Sequence, residues 1–481
     1  MINNGALNPT IFFLISFWKP VTTAMVITFT TIVSAILIMD IRMIGLETFI
    51  PFLSVLRILF AMKYSKDNIL IFKYQKYTKH FCLVWIFLFL LFSCHSNDQS
   101  LGVNQNDFQK PSNDINNEVS ILIGANQLSA YFDIIKNKRV AVVGNQSSLL
   151  SSGIHLVDTL LALNHNVVKV FSPEHGFRGV GSAGEHISNS KDPITGLPIV
   201  SLYGSHKKPT VEDLNDIDVV LFDIQDVGVR FYTYISTLHY VMEACAENDI
   251  PLVILDRPNP NGDYIDGPIL ESKYKSFVGM HPVPIVHGMT IGEYGKMING
   301  EQWLKNSIQC ELVVIPMLNY NHQMKYSLPI PPSPNLKTDA AIRLYPSLCL
   351  LEATSVSVGR GTSAPFEWYG HPMFPKSDLS FTPKSIEGAS KPKHENKKCF
   401  ALKPQIDYTS KEINLEYVIK SRDYLIGEDF ITRKSFFQKL SGTDKLHDQI
   451  VTGLSEEEIR KSWQKGLDEY ALMRSKYLLY D

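Results

Sequence analysis

Downstream of about residue 119 the chain alternates between two hydrophobic patterns. Short, continuous runs of β-branched and other apolar residues recur at 139–144 (RVAVVG), 166–171 (NVVKVF), 217–224 (IDVVLFDI) and 251–256 (PLVILD). Such runs, bounded by Gly, Pro or Asn, predict strands buried on both faces. Between them lie stretches with helical spacing. Residues 154–163 (IHLVDTLLAL) form one, and 234–247 forms another, with Ile235, Leu238, Val241, Met242 and Cys245 on one face.

Strand and helix patterns taken in turn predict a parallel sheet with helices on both faces, because parallel neighbours need a crossover. In such sheets ligands bind beyond the carboxyl ends of the strands. Polar residues gather at those ends here: Asn145-Gln146, Glu174-His175, the segment from Asp223 to Arg230, and Asp256-Arg257-Pro258-Asn259. No GxGxxG follows the first strand and no P-loop occurs, so the expectation is an α/β fold, Rossmann-like but without a dinucleotide. This catalytic region is expected at 119–300. A smaller C-terminal α/β (α+β) domain is expected at 301–481, with a rigid proline-rich loop (LPIPPSPN, 328–335), a polar surface excursion at 376–398 and a helical end from Glu456.

The pattern upstream of 119 is different. Met62 is followed by Lys63, Lys66, Lys73, Lys76 and Lys79, then by the apolar run 81–92 (FCLVWIFLFLLF). That run is short for a membrane span and suits the apolar core of a signal peptide. It ends Leu91-Phe92-Ser93-Cys94, a lipobox-like sequence, so 62–94 is expected to be a lipoprotein signal peptide with Cys94 as the lipidation site. Residues 95–118 are rich in Asn, Asp and Gln and predict a flexible tether. For 1–61 two explanations stand: an over-extended reading frame ahead of Met62, which is preferred, or an extra membrane helix around 21–39. The corresponding location is the cell envelope, on a bacterial membrane.

Charge and cysteine content narrow the partners. A formal net charge of -2 without a Lys/Arg-rich face argues against nucleic acid. Six widely scattered cysteines are too few for a disulfide scaffold and are expected to be mostly buried thiols, although a disulfide outside the cytoplasm stays open. The histidines at 175, 186, 206, 239, 281, 287, 322 and 371 form no HxH or HxxxH set, so no metal is expected.

Glu174 carries the clearest chemistry. It ends a strand, precedes His175, and is followed by Gly176, Gly179, Gly181 and Gly184, which let backbone approach a ligand. An acid so placed can protonate a leaving oxygen. It can equally be a surface turn that caps a helix. Glycoside cleavage usually needs a second carboxylate, and Glu185, Asp192, Asp223 and Asp226 are all candidates. Arg230, Arg257 and Arg360 are forks suited to a carboxylate, or else partners of neighbouring aspartates. Tyr203, Tyr232, Tyr234, Trp368 and Tyr369 could stack on a sugar face.

The segments FSPEHGFRG (171–179), TGLPIVSLYG (195–204), LFDIQDVGVRFYTY (221–234), LDRPNPNG (255–262), PIVHGMTIGE (284–293), PPSPNL (331–336) and SVGRGTSAPFEWYGHP (357–372) resemble the NamZ-type exo-β-N-acetylmuramidases. The resemblance runs from about 120 to the end of the chain. It implies a Rossmann-like catalytic domain with a smaller C-terminal domain and a cleft between them. It also implies a cofactor-free glycosidase that releases N-acetylmuramic acid from the non-reducing end of peptidoglycan-derived muropeptides or MurNAc-GlcNAc. The family's proposed catalytic glutamate falls on Glu174, with His175 and Asp223 beside it as catalytic candidates. Asn145, Arg178, Asp226, Arg230, Arg257, Asn259, His287, Asn335, Arg360 and Glu367 become substrate-binding candidates. One departure is Gly144, where a residue with a side chain is expected. The competing reading is a non-catalytic sugar- or muropeptide-binding lipoprotein. An esterase is disfavoured by the lack of a GxSxG elbow.

Overall fold

The computed structural model describes residues 120–178 and 190–481. The expected signal peptide at 62–94 with Cys94, the tether at 95–118 and the stretch 1–61 lie outside the described residues, as do Gly179, Gly181, Gly184, Glu185 and His186.

The centre is a seven-stranded sheet. Its strands are β1 (Val140–Gly144), β2 (Val167–Ser172), β3 (Ser190–Lys191), β4 (Pro198–Ser201), β5 (Val219–Asp223), β6 (Leu252–Leu255) and β7 (Leu312–Ile315), in the order β3-β4-β2-β1-β5-β6-β7. Only β3 runs antiparallel to its neighbour. All five residues of β1 and of β5 are buried, as continuous apolar strands covered on both faces must be. Alternate residues serve opposite faces. Val140 and Val142 pack with α1 (Leu128–Ile135) and α2 (Leu156–Ala162). Ala141 and Val143 join the larger core. After the short α3 (Val211–Leu214), the helices α4 (Tyr234–Glu247) and α5 (Ile291–Gly300) cover that second face.

The chain builds β1, β2 and β4 toward one edge, then returns to place β5 on the other side of β1. The strand order therefore reverses at β1/β5, where an open α/β sheet leaves a crevice. Strands at 139–144, 166–171, 217–224 and 251–256 and the helix at 234–247 all lie where the hydrophobic pattern puts them.

β7 lies beyond the expected boundary at 300/301 and pairs in parallel with β6 through Leu255↔Ile315, so the sheet continues past residue 301. Beyond lie α6 (Asp339–Leu348) with a 3-10 turn at Cys349–Ala353, and a small antiparallel sheet, β8 (Tyr369–His371), β9 (Ser380–Phe381) and β10 (Cys399–Leu402), in the order β8-β10-β9. Then come α7 (Glu416–Tyr424), α8 (Lys434–Ser441), α9 (Lys445–Thr452), α10 (Glu456–Lys461) and α11 (Gln464–Arg474). One apolar cluster runs from Ala141 in β1 to Tyr470 in α11, so the C-terminal part shares the core of the sheet. The stretch 376–398 is not wholly a surface excursion, because it contributes β9 and turns Lys393 inward. Cys245, Cys310, Cys349 and Cys399 are free and buried.

Arg230 shows how far the second part reaches into the first. It is fully buried, and its guanidinium donates to the carbonyls of Pro268 (2.8 Å), Val283 (2.6 Å) and Leu440 (2.9 Å). Leu440 belongs to α8, whose C-cap Gly442 has φ +76 and leaves only 2.6 Å between an added Cβ and Arg230 Nη2. The arginine is thus a brace inside the core and not a cleft residue. Arg230→Met should leave the buried Pro268 and Leu440 carbonyls unpaired, with Val283 O keeping only the Leu270 N–H, and cost about 2–4 kcal/mol in urea unfolding, with KM for substrate unchanged.

Candidate active site

β2 delivers the chain to Ser172, and Pro173 and Glu174 follow. His175 and Gly176 then both take left-handed conformations, with φ +72 and +77. For histidine this costs on the order of 1 kcal/mol or more, which the surroundings must supply. The turn aims Glu174 into a pocket between the sheet's carboxyl edge and the α6 region. The pocket also takes in His175, the aromatic run 231–234, Ser333, Asn335 and Leu336 of the proline-rich loop, and Tyr345, Arg360 and Phe366. Thr233 Oγ1 lies 3.4 Å from Glu174 Oε2. Burial, with the neighbouring Glu174 carboxylate as its hydrogen-bond partner, pushes the Tyr203 phenol above its ordinary range.

The wall is aromatic and fixed. Tyr232 and Tyr234 meet edge to face at 4.8 Å, and both hydroxyls donate to Pro332 O, at 2.9 and 3.3 Å. Phe366, which stands against Tyr345 at 5.0 Å, is buried with φ +61. A bulky residue in that region is a strained outlier, and such strain concentrates at functional sites. Arg360 lies 5.1 Å over the Phe366 ring, and its Nε donates to Glu352 Oε2 at 3.0 Å. Its Nη nitrogens have no hydrogen-bond acceptor among the described residues. The cavity holds about 70 Å³, below the roughly 300 Å³ of a typical small-molecule site.

Six of the expected residues meet here: Glu174, His175, Tyr232, Tyr234, Asn335 and Arg360. Asn335 Nδ2 donates to Gly388 O. Asn145 stands behind the wall, donating to Tyr234 Oη at 2.9 Å. A Cβ on the neighbouring Gly144 would lie 2.7 Å from Ser148 Oγ, so a side chain there requires that hydroxyl to shift.

The remaining candidates are engaged elsewhere. Asp223 and Arg257 form a buried two-point pair at 2.6 and 2.9 Å, so neither reaches the pocket. Asp226 accepts from Gly228 N and lies 3.5 Å from the buried His287. Asn259 links Met289 O to Asn261 N. Glu367 accepts from Thr338 Oγ1. Arg178 pairs with Asp192 and Asp158 at 2.8 and 3.1 Å. Trp368 stacks on Phe381 in the small sheet. Thr233, Tyr345 and Phe366 were not singled out as site residues. Thr233 and Phe366 lie inside two of the long quoted segments, and that was the only signal available.

An acid and a guanidinium in an aromatic pocket beside the switch point of a parallel sheet define an α/β protein with an enzyme-like site. Comparison with known proteins narrows this. The model of the N-terminal part of exo-β-N-acetylmuramidase NamZ matches residues 140–340, and that of its C-terminal part matches 343–480. The chain belongs to the NamZ family. It is 39% identical over 374 residues to the peptidoglycan β-N-acetylmuramidase NamZ of Bacillus subtilis (strain 168), which spans 73% of this chain and 89% of that protein. Two crystal structures of DUF1343 family proteins from Bacteroides fragilis NCTC 9343 share the fold. One has 48% identity and a TM-score of 0.70, the other 30% and 0.66. Each covers 75% of this chain and 99% of the relative.

The Arg178 brace has a pH signature. Burial alone would raise the Asp192 carboxyl, but hydrogen bonds from Arg178 and Thr195 outweigh it and hold the pKa at about 2. The lowered value means that the stabilisation is present above the unfolded pKa of ~4 and is lost as pH falls toward 2. Arg178→Gln should therefore cost about 1–2 kcal/mol above pH ~5, with the deficit vanishing in strong acid. Urea unfolding across pH measures it, and a raised KM without loss of stability would restore Arg178 to the ligand site.

Proposed function

We propose that this chain is an exo-acting glycosidase that releases N-acetylmuramic acid from the non-reducing end of peptidoglycan fragments, with Glu174 as the catalytic acid. The observation that carries the reading is that Glu174 and Arg360 share one aromatic-walled pocket at the sheet's switch point. The lactyl carboxylate of muramic acid is a natural partner for the Nη nitrogens of Arg360. Glucosamine lacks that carboxylate, so the same contact gives selectivity. The aromatic wall suits the apolar face of a sugar ring.

In this reading Glu174 gives its proton to the glycosidic oxygen as the bond to the anomeric carbon breaks. Asp192, Asp223 and Asp226 are each bound within the fold, and Glu174 is the only carboxylate among the described residues lining the pocket. Glu185 lies outside the described residues, and the proposal gives the bond at the anomeric carbon to the sugar's own acetamido oxygen, which closes an oxazolinium ring as the leaving oxygen departs. Water opens that ring, and the Glu174 carboxylate takes a proton back from the water. This sequence retains anomeric configuration.

Glu174→Gln should lower kcat by about 10²–10⁴-fold on a MurNAc-GlcNAc disaccharide, with thermal stability and KM little changed. Full activity in that variant would sink the assignment. Saturable binding without products by the parent protein would instead favour a sugar-binding lipoprotein.

The envelope location belongs to the same proposal. The basic stretch, the apolar 81–92 and Ser93-Cys94 support acylation of Cys94, and the polar 95–118 suits a tether from the membrane. Among the described residues no helix is long and apolar enough to cross a membrane. Cys94→Ser should move the protein from the membrane to the soluble fraction on fractionation, and unchanged membrane association would count against the anchor.

A further inference from the structure

Lys393 makes an unusual set of contacts. Its ammonium is surrounded by four backbone carbonyl oxygens, those of Thr354 (2.5 Å), Val356 (2.8 Å), Leu351 (3.2 Å) and Glu352 (3.4 Å). Among the described residues no carboxylate touches it directly. Four converging carbonyl dipoles make a site for a monovalent cation, and here the cation is covalently supplied by the chain. The neighbouring His394 places a ring nitrogen 2.6 Å from Ser355 O, so two consecutive residues grip the same turn. Other parts of that turn are held by Phe430 O and by the Arg433 backbone N–H.

The turn matters because of what it carries. Glu352 lies within it, and its carboxylate holds Arg360 Nε at 3.0 Å. Arg360 is the pocket's cation. Without a positive charge among them, the Glu352, Thr354 and Val356 carbonyls would converge on nothing, with Leu351 O keeping the Thr354 N–H and hydroxyl, and the backbone would turn the three toward water. Glu352 would move with that backbone.

We propose that Lys393 is a positioning residue whose ammonium organises the 351–356 turn and thereby sets the Arg360 guanidinium in the substrate pocket. The proposal rests on the reading of Arg360 as the carboxylate anchor and deepens it. Lys393 itself touches no substrate. Burial lowers the Lys393 pKa to about 8. Glu352 opposes that fall, and Arg433 and Arg360 reinforce it, while His394 flanks the site. The ammonium is intact below that value and is lost above it, so the turn should loosen in mild alkali.

The test uses the full chain, with MurNAc-GlcNAc as substrate. Lys393→Ala should raise KM roughly five- to tenfold with kcat within about twofold. Added methylammonium, which fits the vacated position, should restore KM, and tetramethylammonium, which does not fit, should leave it raised. On an Arg360→Ala background Lys393→Ala should add nothing further. An unchanged KM, a failure of methylammonium to rescue, or full additivity with Arg360→Ala would overturn the proposal. If Arg360→Ala alone leaves KM unchanged, the anchor reading is what has failed, and the role of Lys393 falls with it. Should Lys393→Ala not fold, the parent's own pH profile decides. KM must rise above pH about 8 in the parent and stay flat there in Arg360→Ala, and a flat profile in the parent refutes the inference.

Discussion

The buried pair between Asp223 and Arg257 sets the geometry of everything at the carboxyl edge of the sheet. Asp223 is the last residue of β5 and Arg257 follows β6 by two, so their two-point contact fixes the spacing of the strand ends. Arg257 also donates to Leu149 O, and Ser148 Oγ donates to Asp223 O, which ties in the loop after β1. From that loop Asn145 reaches Tyr234 in the pocket wall. A buried ion pair repays little more than its own desolvation, and its value here is in specifying one arrangement of loops. Most charges that the strand-end pattern offers hold the edge together, while Glu174, His175 and Arg360 line the pocket among the described residues.

This division explains what was legible in the chain. β1, β2, β5, β6 and α4 were visible because each satisfies its own period or run of apolar residues. β4 and β7 were not: each has only four residues, β4 inside the sheet between β3 and β2 and β7 at its edge. Polar residues at strand ends were placed at the right edge of the sheet, but a one-dimensional pattern cannot say which way a side chain turns. Asp223 and Arg257 are 34 residues apart and found each other, whereas Arg230 turned into the core to reach α8, 210 residues on. Phe366 and Thr233 gain their place through contacts with distant segments, and only their presence in long quoted stretches hinted at them.

Strain and support are distributed unevenly around the pocket. His175 and Phe366 both hold left-handed backbone that costs on the order of 1–3 kcal/mol each. They sit on opposite parts of the chain, one after β2 and the other between α6 and β8, so the cost is repaid by the shared core that runs through both parts. A pocket held in this way is already shaped before a ligand arrives, which reduces the ordering that binding must supply.

The four buried thiols have a use beyond packing. Burial pushes Cys310 up to about 12 and Cys399 up to about 11, and it raises Cys245 well above its ordinary value. The reactive thiolate is therefore scarce in the native molecule. Alkylation should wait for the chain to open, which makes each cysteine a clock for its own neighbourhood: Cys245 for α4, Cys310 for the edge at β7, Cys349 for the end of α6, Cys399 for the small sheet. If the shared core makes the two parts one cooperative unit, all four clocks keep the same time. If the antiparallel sheet breathes alone, Cys399 runs fast and reveals a subglobal opening without any residue being changed.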